Sequence, residues 1–260
     1  MTRLAKLLFL PLLLYGFIAC QEADTDEIFV ETEEIVLEDS ILEDSVDEDS
    51  FTKDSLAVFV NDTISFLALG DSYTIGQGVA AKDRWPSILA QQLQDRGTHI
   101  VDLQIIAQSG WTTRNLKSAI NSVNPKPPFQ LVSLLIGVNN QYQGGSLTTF
   151  ENEFTELLDI AIKLAGGNKK IVFVLSIPDY GLTPFGQRSG GASISMQIDK
   201  FNAVISHHCQ LKSIDFYDIT HITRTRTGSE FYVSDQLHPS AKMYSLWVDH
   251  IYQSIENRLK

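Results

Sequence analysis

Between residues 64 and 219 the chain carries five short apolar runs, Ile64–Leu69, Ile100–Ala107, Leu131–Ile136, Ile171–Ile177 and Ile214–Ile219, set between segments of helical pattern. This alternation constrains the fold more than any other feature. Several runs lack the polar alternation of a half-solvated strand, as expected of strands covered on both faces. The segments Trp85–Arg96, Thr113–Ser122, Leu147–Ala165 and Ser193–Leu211 read as helices. Pro86 lies near the first turn of one and Gly166-Gly167 closes another, while Pro239 opens a last helix to about Asn257. Strands alternating with helices imply right-handed crossovers and an α/β fold, a five-stranded parallel sheet with helices on both faces. The roughly 200 residues from 56 onward suffice for one such core.

The first 55 residues lack this pattern. Arg3 and Lys6 precede an almost wholly apolar stretch, Leu7–Ala19, which is the layout of a secretory signal and too short to span a bilayer comfortably as a helix. It ends Phe17-Ile18-Ala19-Cys20, which resembles a bacterial lipobox, although Leu is usual where Phe17 stands. Residues 1–20 are therefore expected to be a lipoprotein signal with Cys20 lipidated; an ordinary cleaved signal is the alternative. From Gln21 to Ser55 there are 15 Asp and Glu against the single Lys53, so the negative charge of the protein resides there and residues 56–260 are balanced. Like charges at this density, with few apolar residues, predict an extended acidic linker rather than a folded unit. The acidic Leu37-Glu38-Asp39-Ser40 pattern repeats every five residues, without the glycine and glutamate spacing of an EF-hand. A net charge confined to a tether gives no support for nucleic-acid binding. The only other cysteine, Cys209, leaves no disulfide framework and is expected in the core.

In open parallel sheets the functional loops leave the carboxyl ends of the strands, which makes those loops the place to look for chemistry. The first run breaks into Gly70-Asp71-Ser72. Alone, that tripeptide reads as a plain turn, and a phosphate loop would need Gly-Lys-Ser/Thr where Gly76 meets Gln77. Three further loops change the weighing. "AQSGWTTRN" places Gly110 in a sharp turn before a helix, "LIGVNNQYQGG" places Gly137 and Asn139 at a strand's mouth, and "VSDQLHPSAKMY" sets Asp235 three residues before His238.

These four blocks, in order, resemble the SGNH hydrolases, also called GDSL esterases and lipases, and the likeness covers about residues 65–255. Tyr73 stands where that family usually has Leu, and Asn140 where Asp is common; neither handles charge in the reaction. The resemblance implies a flavodoxin-like three-layer α/β/α sandwich, hydrolysis of carboxylic esters, and neither metal nor organic cofactor. It also implies an oxyanion hole formed by the backbone N–H groups of Ser72 and Gly110 and the side-chain amide of Asn139. The chemistry asks for the other residue types independently. A serine hydroxyl needs a base, for which His238 can serve Ser72, and Asp235 can reach the other imidazole nitrogen.

The expected activity is that of a serine esterase acting on a small-molecule, glycan or lipid ester as a monomer. Glycan deacetylase, lysophospholipase and thioesterase all stay open, and a non-catalytic surface binding module is the alternative of another class. Trp111, Tyr180 and Phe185 are candidates for the substrate pocket. Pro178–Gly191, rich in glycine and proline, is the candidate specificity loop or lid. Asp71 is expected to order its turn, with a direct role as the alternative. The leader implies export and a lipid anchor in the cell envelope, in the outer membrane by slight preference or in the periplasm.

Overall fold

The computed structural model describes residues 30–33 and 63–260. One six-stranded sheet contains β1 (Val30–Glu33), β2 (Ile64–Gly70), β3 (Ile100–Ala107), β4 (Leu131–Leu135), β5 (Val172–Leu175) and β6 (Asp215–Tyr217), in the order β1-β3-β2-β4-β5-β6. The five expected strands, β2 to β6, are all parallel to one another. Their order, with the chain moving from β2 to one side and then to the other, is that of a flavodoxin-like doubly wound sheet. β1 is an addition to this. It pairs antiparallel with β3, Val30 opposite Ile106, and covers what is otherwise a sheet edge. It falls inside the stretch read as a linker; the rest of that stretch, the leader and Cys20 lie outside the described residues.

Five long helices match the expected ones: α2 (Trp85–Gln94), α3 (Thr113–Val123), α5 (Leu147–Leu164), α7 (Ala192–Lys212) and α9 (Ala241–Leu259). Four short ones, α1 (Ser72–Ile75), α4 (Val138–Tyr142), α6 (Pro184–Ser189) and α8 (Thr220–Thr225), lie in loops. The long helices pack in two groups, α2 with α9 and α3 with α5 with α7, so that the sheet is the middle layer. Their ends follow local chemistry. The Ser146 hydroxyl accepts from Thr149 N–H at 3.1 Å to start α5, and Gly166 and Gly167 follow its end. β4 and β5 are buried along their whole length, which explains why their runs lack polar alternation. The Cys209 thiol is likewise in the core, where burial pushes its pKa up to about 12.

β2 and β4 are neighbours, yet the chain visits β3 on the other side between them. Their carboxyl ends therefore flank the switch point of the sheet, where open α/β folds leave a crevice. Ser72 follows β2, and Asn139 follows β4.

Candidate active site

Gly70, the last residue of β2, sits where the strand turns tightly beside β4. A Cβ there would lie 2.1 Å from Thr74 Oγ1 and 2.7 Å from the Leu135 carbonyl oxygen, so only glycine fits. Asp71 then caps α1, its Oδ1 accepting from Tyr73 N–H at 3.0 Å, and Ser72 is the first helical residue. Its other oxygen, Oδ2, is buried with no hydrogen-bond partner among the described residues. Burial dominates the local hydrogen bonds and raises the Asp71 pKa to about 7.

A cleft of about 280 Å³ opens above this turn, and Ser72, Gly110, Asn139 and His238 all line it. Gly110 has φ +84°, a conformation that its residue type allows freely, and its Cα faces open space. Asn139 lies in the first turn of α4, and its Nδ2 donates to the Trp111 carbonyl at 2.9 Å. An amide nitrogen carries two hydrogens, so one remains for another acceptor. Asn140, next to it, ties α4 to α3: its Oδ1 accepts from Thr113 N–H at 3.0 Å and its Nδ2 donates to Thr113 Oγ1 at 2.7 Å. Two glutamines hold the Gly110 loop as well. Gln143 Nε2 donates to the Gly110 carbonyl at 3.3 Å, and Gln77 accepts from the Ser109 hydroxyl.

His238 approaches from the loop before α9. Its Nδ1 lies 2.6 Å from Asp235 Oδ2, which leaves Nε2 as the nitrogen available on the far side of the ring. The same carboxylate shapes the loop, with Oδ1 accepting from the N–H groups of Leu237 at 2.8 Å and His238 at 2.9 Å. Partial burial pushes the Asp235 pKa up, but the His238 side chain and these two N–H groups outweigh it and hold the carboxylate below its usual range. The Tyr73 ring packs between His238, at 5.8 Å between centroids, and Trp247 at 6.2 Å. The residue that departs from the family pattern is thus a wall for the imidazole.

The structure brings Ser72, Gly110, Asn139 and His238 to one cleft, with Asp235 behind His238. Tyr180 and Phe185 line it too; Trp111 does not, being buried beside it and supplying the carbonyl for Asn139. Pro178–Gly191 is less a loop than two short helical turns, Tyr180–Leu182 and α6. It is fastened to the histidine loop by Phe185 N–H donating to the Gln236 carbonyl at 3.2 Å and by Arg188 Nη1 donating to Gln236 Oε1 at 3.1 Å. Arg188 is therefore engaged with protein. Sequence reading missed Gln77 and Gln143, because their role lies in contacts between loops; only proximity to the motif blocks pointed to them. Among the described residues no group of three or more His, Cys, Asp or Glu is arranged to hold a metal ion, and no helix is long and apolar enough to cross a membrane.

Comparison with known proteins agrees with this architecture. The sequence profile of the GDSL-like Lipase/Acylhydrolase family matches residues 68–246. The fold is similar to that of a lipase/acylhydrolase from Enterococcus faecalis, with TM-score 0.61 and 19% identity over 76% of this chain and 98% of that one. It is also similar to an extracellular lipase from Streptomyces rimosus, with TM-score 0.58 and 19% identity over 76% of this chain and 100% of that one. A carbohydrate acetylesterase family member from Sinorhizobium meliloti aligns with TM-score 0.55 and 17% identity over 76% and 99% of the two chains. No match was found among curated proteins. The match of fold and profile across most of the folded part places the chain in the GDSL-like lipase/acylhydrolase family of ester-hydrolysing enzymes.

Proposed function

We propose that the protein hydrolyses carboxylic esters by acyl transfer through Ser72, with His238 as base and Asp235 as its orienting partner. The observation that carries this reading is the shared cleft of Ser72, Gly110, Asn139 and His238, with the Asp235 carboxylate 2.6 Å from the rear imidazole nitrogen. In the first half of the reaction Ser72 Oγ attacks the ester carbonyl while His238 Nε2 takes the hydroxyl proton. Asp235 keeps the proton on Nδ1 and stabilises the imidazolium that forms. The tetrahedral intermediate carries its charge on the former carbonyl oxygen. Three donors suit that oxygen: the N–H of Ser72, unused within α1 because it is the first helical residue, the N–H of Gly110, and the second hydrogen of Asn139 Nδ2. The intermediate collapses as His238 returns the proton to the leaving alkoxide. Water then repeats the sequence on the acyl-enzyme, releasing the carboxylic acid and Ser72.

The hydrogen bond from Asn139 to Trp111 supports its role by fixing one side of the amide. We further propose that Cys20 carries a lipid and tethers the enzyme to the cell envelope through the acidic segment that follows.

The test is hydrolysis of p-nitrophenyl esters of graded acyl length by the full-length chain and by Ser72→Ala. Turnover that vanishes in the variant supports the serine mechanism. Turnover that persists in a folded Ser72→Ala protein contradicts it.

A further inference from the structure

Beside the reaction cleft lies a second hollow of about 310 Å³, and the two share the side chains of Tyr142 and Tyr180. Their chemistry differs. The reaction cleft has apolar walls from Val138, Phe185 and Leu237. The second hollow sets the amides and hydroxyls of Gln141, Ser189, Ser193 and Gln197 among the apolar surfaces of Ile194 and the two tyrosine rings, and its lining holds no charged side chain. Each volume is near the low end of the ~300–1,000 Å³ typical of ligand pockets, while the connected pair falls well within that range.

The polar groups there are preordered. Tyr180 Oη donates to Gln141 Oε1 at 2.7 Å, and Gln141 Nε2 donates to Gln197 Oε1 at 2.9 Å. This relay fixes both amide orientations and leaves the Gln197 amide nitrogen, a double donor, at its outer end. Tyr142 stands at the boundary with 59% of its surface exposed, although its ring is held edge-on by Tyr180 at 6.2 Å between centroids. Of the large apolar side chains left exposed among the described residues, it is the one that borders both hollows. A ring fixed beside these amides and hydroxyls presents one flat apolar surface and several hydrogen-bonding groups. Those are the two features a sugar matches: its C–H face packs on the ring and its hydroxyls meet the amides.

Given the esterase reading, on which this rests, the geometry points to an O-acylated neutral carbohydrate as substrate, with the acyl group in the apolar cleft and the sugar ring in the second hollow against Tyr142. A phosphate-bearing lipid headgroup fits poorly, because the lining offers no cation to pair with it.

The experiment compares two esters of the same acid, ethyl acetate and a mono-O-acetylated methyl glucoside, with lysophosphatidylcholine as a third substrate, using the full-length chain. The structure predicts a kcat/KM for the sugar ester at least about tenfold above that for ethyl acetate, the scale of one or two well-made polar contacts. Ser193→Trp, a bulky side chain placed at an exposed position of the second hollow, lowers that ratio by a similar factor, mainly through KM. Gln197→Ala lowers it severalfold and serves if the tryptophan disturbs folding. Equal rates on the two acetates, a preference for the lysophospholipid, or a ratio untouched by both variants overturns the sugar site while leaving the esterase intact. Failure on all three together with failure on the p-nitrophenyl esters, or hydrolysis by Ser72→Ala, overturns the esterase reading itself.

Discussion

Replacing Asp71 by Asn tests the electrostatics beneath the nucleophile. The amide keeps an acceptor for Tyr73 N–H and is an equally good cap, so the fold of α1 survives, and what changes is a single titratable group. Burial raises the Asp71 carboxyl from 3.8 to about 7, and at ~1.36 kcal/mol for each pH unit this is on the order of 4 kcal/mol. The sign follows from proton counts. Between about pH 4 and 7 the folded chain binds more protons at Asp71 than the unfolded chain does, so this group lowers stability as pH rises through that window. Above pH 7 both states are ionised and the loss is complete. Asp71→Asn removes this dependence. The stability advantage of the variant over the parent should therefore grow by about 3–4 kcal/mol from pH 4 to pH 8, or roughly 10 °C in melting temperature for a domain of this size. Urea and thermal unfolding of both full-length proteins at pH 4, 6 and 8 measure this, and every other titrating group cancels in the difference. A difference that stays constant with pH would refute the reasoning, since Asp71 would then titrate alike in both states. One that shrinks with rising pH would show a carboxylate held ionised by a favourable partner.

Three other substitutions probe the site. Asn139→Ala should lower kcat by ~10²–10³ with a small change in KM, measured on a p-nitrophenyl ester, because the donor acts on the intermediate rather than on the bound ester. Asp235→Asn should lower kcat by about 10⁴ through loss of the correct tautomer. It should also remove stability that the parent shows above about pH 4 and loses in acid, as expected of a carboxylate whose folded pKa is depressed; unfolding at pH 3 and 7 reads this. Asn140→Ala leaves the buried Thr113 N–H and hydroxyl with lost partners and should cost about 1–3 kcal/mol in urea unfolding, together with a reduced kcat as the Gly110 loop loosens against Asn139.

The elements legible in the sequence are those whose periodicity reflects burial. The apolar runs became β2 to β6 and the helical patterns became the five long helices, their ends within a few residues of expectation. β5 is shorter than its run because the chain leaves the sheet after Ser176, where Ile177 N–H donates to Asn202 Oδ1 at 2.8 Å instead of to a strand. β1 was illegible: Val30–Glu33 is half acidic, lies in a charged stretch, and pairs along β3 through its backbone. The turn after β5 carried readable signals that its glycines and prolines concealed. Thr183 caps α6 by accepting from Gly186 N–H at 2.9 Å, with Pro184 at the first helical position. For the site, the strand-end rule gathered Ser72, Gly110 and Asn139 into one cleft, and the local spacing gave the pair of Asp235 and His238. The burial of Asp71, the Asn140 clamp and the hollow beside Tyr142 arise from loops meeting in space, which spacing along the chain does not report.

The most direct measurement of the central claim is labelling of the full-length protein with a fluorophosphonate, followed by peptide mass mapping and a parallel assay of ester hydrolysis. The serine mechanism predicts one phosphonyl group per chain, on Ser72, with activity lost in proportion to labelling and neither labelling nor activity in Ser72→Ala. Modification of another residue, or full hydrolysis by a protein whose Ser72 is labelled, would contradict it.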